Sequence, residues 1–124
     1  MQLNLERPDY QYFLRGADGR QALVNERVLA RSFILSPDSL VEDWPVFDVA
    51  AMQPADLDAA LALGPELIVL GTGEAQRFPP AAVRAAALGR GIGLEVMTNA
   101  AAARTYSVLA GEGRRVVAGF VFPA

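Results

Sequence analysis

The chain of 124 residues contains no cysteine, no histidine and no lysine, so all 11 of its basic residues are arginine. Each absence closes a class of chemistry. Without cysteine there is no disulfide, no thiol nucleophile and no thiolate metal site. Without histidine there is no imidazole ligand and no imidazole general base. Without lysine there is no Schiff base and no P-loop lysine. No metal and no cofactor is expected. The net charge is −3, the arginines are scattered, and Arg114-Arg115 is the only adjacent pair. A nucleic-acid binder needs a dense cationic surface to displace phosphate counterions, so no nucleic-acid partner is expected. The longest strongly apolar run, Val116 to Pro123, is too short to cross a bilayer. The stretch Met1 to Arg7 has no apolar core of signal-peptide length. Together with the lack of cysteine, this suits a cytoplasmic protein of bacterial style.

What is present suits one packed domain over residues 1–124, with 52% hydrophobic and 20% charged residues. The first half reads as strands and turns. Tyr10 to Arg15 is rich in β-formers, Gly16-Ala17-Asp18-Gly19 is a turn, and Ala22 to Asn25 resumes an extended pattern, which predicts a hairpin. Val28 to Leu35 is a third apolar run, stopped by Ser36-Pro37-Asp38, and Leu40-Val41 suits another short strand. Trp44-Pro45 marks an extended turn. Trp44, with Val46 and Phe47, is either the edge of the core or an exposed contact patch.

The second half changes period. Pro54 to Leu63 reads as a helix, with proline at its first position and Asp56 and Asp58 at the positive end of its dipole. Leu67-Ile68-Val69-Leu70 has the pattern of a strand covered on both faces. Pro79-Pro80 opens a second helix running to about Arg90, and Ile92 to Met97 is a second apolar strand. Thr98-Asn99 caps a third helix from Ala100 to about Ala110, and Arg114 to Phe122 is the last strand. Strand, helix, strand, helix, strand predicts right-handed βαβ crossovers. The fold class is α/β: a single three-layer domain with a central mixed sheet and flanking helices, β-rich in its N-terminal half and βαβαβ in its C-terminal half. Pattern alone leaves open the direction of the last strand.

If the strands ending at Leu70 and Met97 are parallel neighbours, Gly71-Thr72-Gly73 and Thr98-Asn99-Ala100 share the carboxyl edge of the sheet, where ligands bind in open α/β folds. Two readings of this edge follow. In one, backbone N–H groups of Gly71, Thr72, Gly73 and Ala100 hold a small anion or carboxylate with Asn99 and Arg104. In the other, the glycines make a tight strand exit and Arg104 is a solvated helix residue. A dinucleotide is disfavoured, because the third glycine is missing and Glu74-Ala75-Gln76 follow where a helix should start. Glu95 interrupts an apolar strand. It is a buried acid paired with arginine, a residue at an exposed sheet margin, or a general base of raised pKa. Tyr106 lies on the apolar stripe of the third helix, which places it in the core with its hydroxyl at the margin.

Three stretches together carry a family resemblance: Leu67 to Gly73, Phe78-Pro79-Pro80, and Gly91 to Leu109, completed by Glu112-Gly113-Arg114-Arg115-Val116 and the ending Phe122-Pro123. They resemble the Mth-like domain family, a group that includes the mitochondrial respiratory complex I assembly factor three. The resemblance implies a three-layer α/β fold and a role in assembly or protein interaction. Many members carry Asp-Thr at the turn before the third helix, where this chain has Thr98-Asn99. Helix capping survives that change, whereas a role for a carboxylate there does not. The leading expectation is a non-enzymatic interaction or assembly module with a protein partner. The alternative is a small-molecule binding protein or minimal enzyme using the Gly71–Arg104 edge. A homodimer through an exposed strand of the first half is a third possibility.

Overall fold

The structure, a computed structural model, describes residues 10–124. The stretch Met1 to Arg7, read above for a leader segment, lies outside the described residues. The first three strands are β1 (Leu14–Ala17), β2 (Ala22–Val24) and β3 (Arg27–Leu29), and they form an antiparallel sheet in that order. Asp18 builds the first turn: its Oδ1 accepts from the N–H groups of Arg20 at 2.8 Å and Gln21 at 2.9 Å. Those two bonds hold the Asp18 carboxyl below the usual aspartate range. The strand starts later than its β-formers suggest. Leu14 to Ala17 pair with β2, so Gly16-Ala17 belong to the strand and the turn begins at Asp18. Asn25 ends β2 in the left-handed region, at φ 52°.

A second sheet follows. Its strands are β4 (Phe33–Ser36), β5 (Ser39–Val41), β6 (Leu67–Gly71), β7 (Gly93–Met97) and β8 (Val116–Phe120), in the order β5-β4-β8-β6-β7. β6 runs parallel to both β7 and β8, and β4 is antiparallel to β5 and β8. This settles the direction of the last strand. The apolar run Val28 to Leu35 is therefore not one strand. It divides between two sheets at Ser32, whose buried hydroxyl accepts from Phe122 N–H at 2.9 Å and donates to Val46 C=O at 2.5 Å. Those contacts belong to the second sheet's surroundings, so the chain must leave the first sheet before residue 32.

Three layers result. On one face of the five-stranded sheet lie α1 (Asp58–Leu61), α2 (Ala81–Leu88) and the 3₁₀ turn Pro54–Leu57, over Ile34, Ile68, Leu70, Leu94, Val96 and Val117. On the other face, α3 (Asn99–Gly111) and the three-stranded sheet cover Phe33, Leu35, Val69, Ala118 and Phe120. The expected helix at Pro54 to Leu63 is a 3₁₀ turn leading into a single α-helical turn. Its start is a reciprocal capping box between Gln53 and Asp56. Trp44 is core, 4% exposed, and its ring packs closely on β8 because position 119 is glycine: a Cβ there would stand 2.9 Å from the ring. Its Nε1–H donates to Asp56 C=O at 2.9 Å.

Tyr106 is core as expected, but its hydroxyl does not reach the margin: the residue is fully buried, and its hydroxyl has no hydrogen-bond partner among the described residues. Burial, assisted by Tyr10 and Asp38, pushes its pKa far above the ordinary 10. An orphaned buried hydroxyl carries its full desolvation cost, so Tyr106→Phe is expected to stabilise the fold by about 1 kcal/mol in urea denaturation. The unfolded tyrosine ionises near pH 10 while the folded one keeps its proton. Wild-type stability from this group should thus be intact below pH 10 and fall above it by about 1.4 kcal/mol per pH unit, a slope missing in the variant. A destabilised Tyr106→Phe protein would contradict this assignment.

Candidate functional site

The registers Leu70↔Val96 and Gly71↔Met97 bring the exits of β6 and β7 to one rim, as the sequence argument requires. Thr72 N–H donates to Met97 C=O at 2.9 Å, and Asn99 N–H donates to Gly73 C=O at 2.8 Å. The β8 exit joins them, because Val121 N–H donates to Gly71 C=O at 3.0 Å. Thr98 caps α3 by accepting from Ala101 N–H at 3.2 Å.

The Asn99 side chain is engaged within the fold. It is completely buried. Oδ1 accepts from Gly73 N–H at 3.0 Å, and Nδ2 donates to Asp18 C=O at 3.0 Å and Val121 C=O at 3.2 Å. The partners fix which end of the amide is which, since one can only donate and two can only accept. Gly71 makes the room. A Cβ there would collide with Asn99 Oδ1 and come within 3.0 Å of the Phe120 ring. At Gly19, a Cβ would stand 2.7 Å from Glu74 Cβ, so the first hairpin turn also docks tightly on this rim.

The anion cradle expected from the glycines is therefore occupied from within. The N–H groups of Thr72 and Gly73 are both spent on protein acceptors. The Thr72 hydroxyl accepts from Arg77 N–H at 3.1 Å and lies 2.8 Å from Ala75 C=O, which closes the loop after β6 on itself. Ala100 is half-buried, Arg104 is exposed on α3, and neither lines the rim cleft. Glu95 is an exposed residue of β7, the edge strand of the sheet, so the buried-acid alternative does not hold. A charge on an edge strand discourages unwanted strand pairing.

Of the expected group, Thr72 and Gly73 do line a cleft of about 430 Å³. Its other walls are Glu74 and Arg77 from the loop after β6, Phe47, Asp48 and Val49 from the segment before α1, and Val121 and Pro123 after β8. The size lies within the range of small-ligand sites. Sequence reasoning looked to α3 for the cation and missed Arg77. The available signal was its place in the loop leaving a parallel strand's carboxyl end, where such folds gather functional residues. Phe47, offered by the sequence with Trp44 as core edge or exposed contact patch, comes to the rim through tertiary packing and lines the cleft. Among the described residues, no group of three or more acidic side chains is placed to hold a metal ion.

A mixed sheet with helices on both faces, and a short antiparallel sheet beside α3 on one of them, defines a small Mth938-like α/β protein. The same fold occurs in a Bordetella pertussis Mth938-like domain, 27% identical, with 98% of this chain and 92% of that one covered and a TM-score of 0.81. The chain belongs to the family described as "Protein of unknown function (DUF498/DUF598)", which matches residues 15–121. A Xanthomonas campestris protein solved by NMR is 64% identical, covering 98% of this chain and 92% of that one, with a TM-score of 0.83. A Francisella tularensis subsp. holarctica protein named "13 kDa major membrane protein" is 35% identical over 84 residues, 67% of this chain and 68% of that one.

The Asn99 network yields a stability prediction. Asn99→Ala leaves the buried Gly73 N–H and Val121 C=O and the part-buried Asp18 C=O without this partner and is expected to cost about 3 kcal/mol in chemical denaturation. Asn99→Asp should cost at least as much, because it faces a carboxylate to two carbonyl oxygens. Arg104→Ala, on the exposed side of the same helix, should change stability by less than about 0.5 kcal/mol. A loss below about 1 kcal/mol in both Asn99 variants would contradict the network.

Proposed function

We propose that this chain is a non-enzymatic interaction module of the assembly-factor kind that binds a protein partner at the rim. The observation that carries this reading is the division of labour there. The rim's buried polar groups, Asn99 and Thr72, are spent on internal hydrogen bonds, while Phe47 on the cleft wall is 43% exposed. Chemistry needs free polar groups held in position, whereas adhesion needs exposed aromatic surface beside a cation such as Arg77. For location we propose the cytoplasm at its membrane boundary. The name of the Francisella relative supports that boundary. Among the described residues, no helix is long and apolar enough to cross a membrane, and the attachment we propose is peripheral.

The cleft supports a second reading, a small carboxylate-bearing ligand held by Arg77 beside Thr72 and Gly73, in place of the Arg104 site expected from sequence.

Crosslinking with mass spectrometry in the native host tests the first reading. Wild-type protein should enrich a partner at several salt concentrations, and Phe47→Glu should lose it without a change in melting temperature. An identical set of captured proteins from both forms would sink this reading. A thermal-shift screen of small carboxylates tests the second. Arg77→Ala should abolish any shift and Arg104→Ala should leave it intact, and no shift with any compound removes the reading.

A further inference from the structure

α2 is covered on one side only, and apolar residues also line its outer side. Its sequence is Ala-Ala-Val-Arg-Ala-Ala-Ala-Leu, with Val83 and Ala87 buried against the sheet. On the opposite side, Ala81, Ala85 and Leu88 recur at helical spacing and all are exposed. Leu88 is 60% exposed, and Phe78, three residues ahead of Ala81, is 63% exposed. The charges of this stretch are equally one-sided. Between Glu74 and Glu95 the only charged residues are Arg77, Arg84 and Arg90, in a chain whose net charge is −3. All three are exposed, and none forms a salt bridge among the described residues. Of the acids on elements packed against α2, Asp56 is engaged by Gln53 N–H at 2.8 Å, and Glu95 is on β7.

We propose that the outer face of α2 is a docking surface for an anionic lipid bilayer. Phe78 and Leu88 enter the boundary between headgroups and acyl chains, and Arg77, Arg84 and Arg90 meet the headgroup phosphates. The inference rests on the membrane-boundary reading given above and names the surface that serves it. Charge complementarity selects this occupant. Arginine's planar guanidinium grips phosphate through paired hydrogen bonds, and exposed apolar side chains interspersed with arginine are features of a helix lying in the interface plane. A second copy of the chain fits less well, because antiparallel pairing of the two stripes sets Arg84 beside its own twin. One face of an 8-residue helix is also short of the roughly 800 Å² per partner that a standard protein interface buries.

Vesicle flotation with the full chain tests this. The probes are phosphatidylcholine vesicles and vesicles of phosphatidylcholine mixed with phosphatidylglycerol. Wild-type protein should float with the anionic vesicles only, and added salt should release it. Arg84→Glu, and separately Phe78→Ser with Leu88→Ser, should each weaken binding by about tenfold while leaving the melting temperature unchanged. If wild-type protein ignores anionic vesicles, both this inference and the membrane-boundary reading fall. If it binds and the variants bind equally well, this face is wrong and the boundary reading stands. If it ignores vesicles while the Phe78/Leu88 variant loses a crosslinked protein, the face belongs to a protein partner and the bilayer is excluded.

Discussion

The side-chain amide of Asn99 joins four chain segments that are far apart in sequence. It ties the start of α3 to the loop after β6, the exit of β8 and the turn of the first hairpin. Such a group has to be fully satisfied, since burying an amide with one orphaned end costs about as much as a hydrogen bond is worth several times over. It also specifies geometry. Two carbonyls and one N–H meet it from fixed directions, so the two sheets and α3 have one relative placement in which it is content. The glycine at position 71 belongs to the same device, because only a residue without a side chain leaves Oδ1 its place against β6.

That device shapes what the rim can do. In many open α/β sheets the glycine turn after a central strand leaves its N–H groups free for a phosphate or carboxylate. Here the corresponding groups are consumed by Asn99 and by the Met97 carbonyl, and the Thr72 hydroxyl is folded back on its own loop. What remains outward is a cleft bordered by Phe47, Arg77 and two carboxylates, and elsewhere the uncovered side of α2. Both surfaces combine apolar side chains with arginine. The cations on both surfaces are arginines, which bind anions well and transfer protons badly.

Local chemistry made much of this fold readable. The doubly covered run Leu67 to Leu70 became the central parallel strand, Asp18 built its turn, Thr98 capped α3, and Trp44 joined the core. These features depend on neighbours within a few residues or on apolarity alone. The misreadings depend on distant partners. Ser32 divides an apolar run between two sheets by contacts 14 and 90 residues away. Asn99 looked like a cap or a ligand group, and its actual partners lie 22, 26 and 81 residues away. Position in α3 alone left Arg104 as either an anion ligand or a solvated helix residue; it is exposed and does not line the cleft. Glu95 interrupts its strand harmlessly because β7 is an edge, a fact about strand order that its own segment does not carry.

Native-state hydrogen exchange of the Gly73 amide tests the central claim most directly. This N–H sits in a glycine loop beside a cleft, where unrestrained amides exchange rapidly. If Asn99 Oδ1 holds it, Gly73 should exchange only through global opening, with a protection free energy equal to that of the slowest β6 amides. Exchange of Gly73 at the rate of an open loop, while β6 stays protected, would contradict the account.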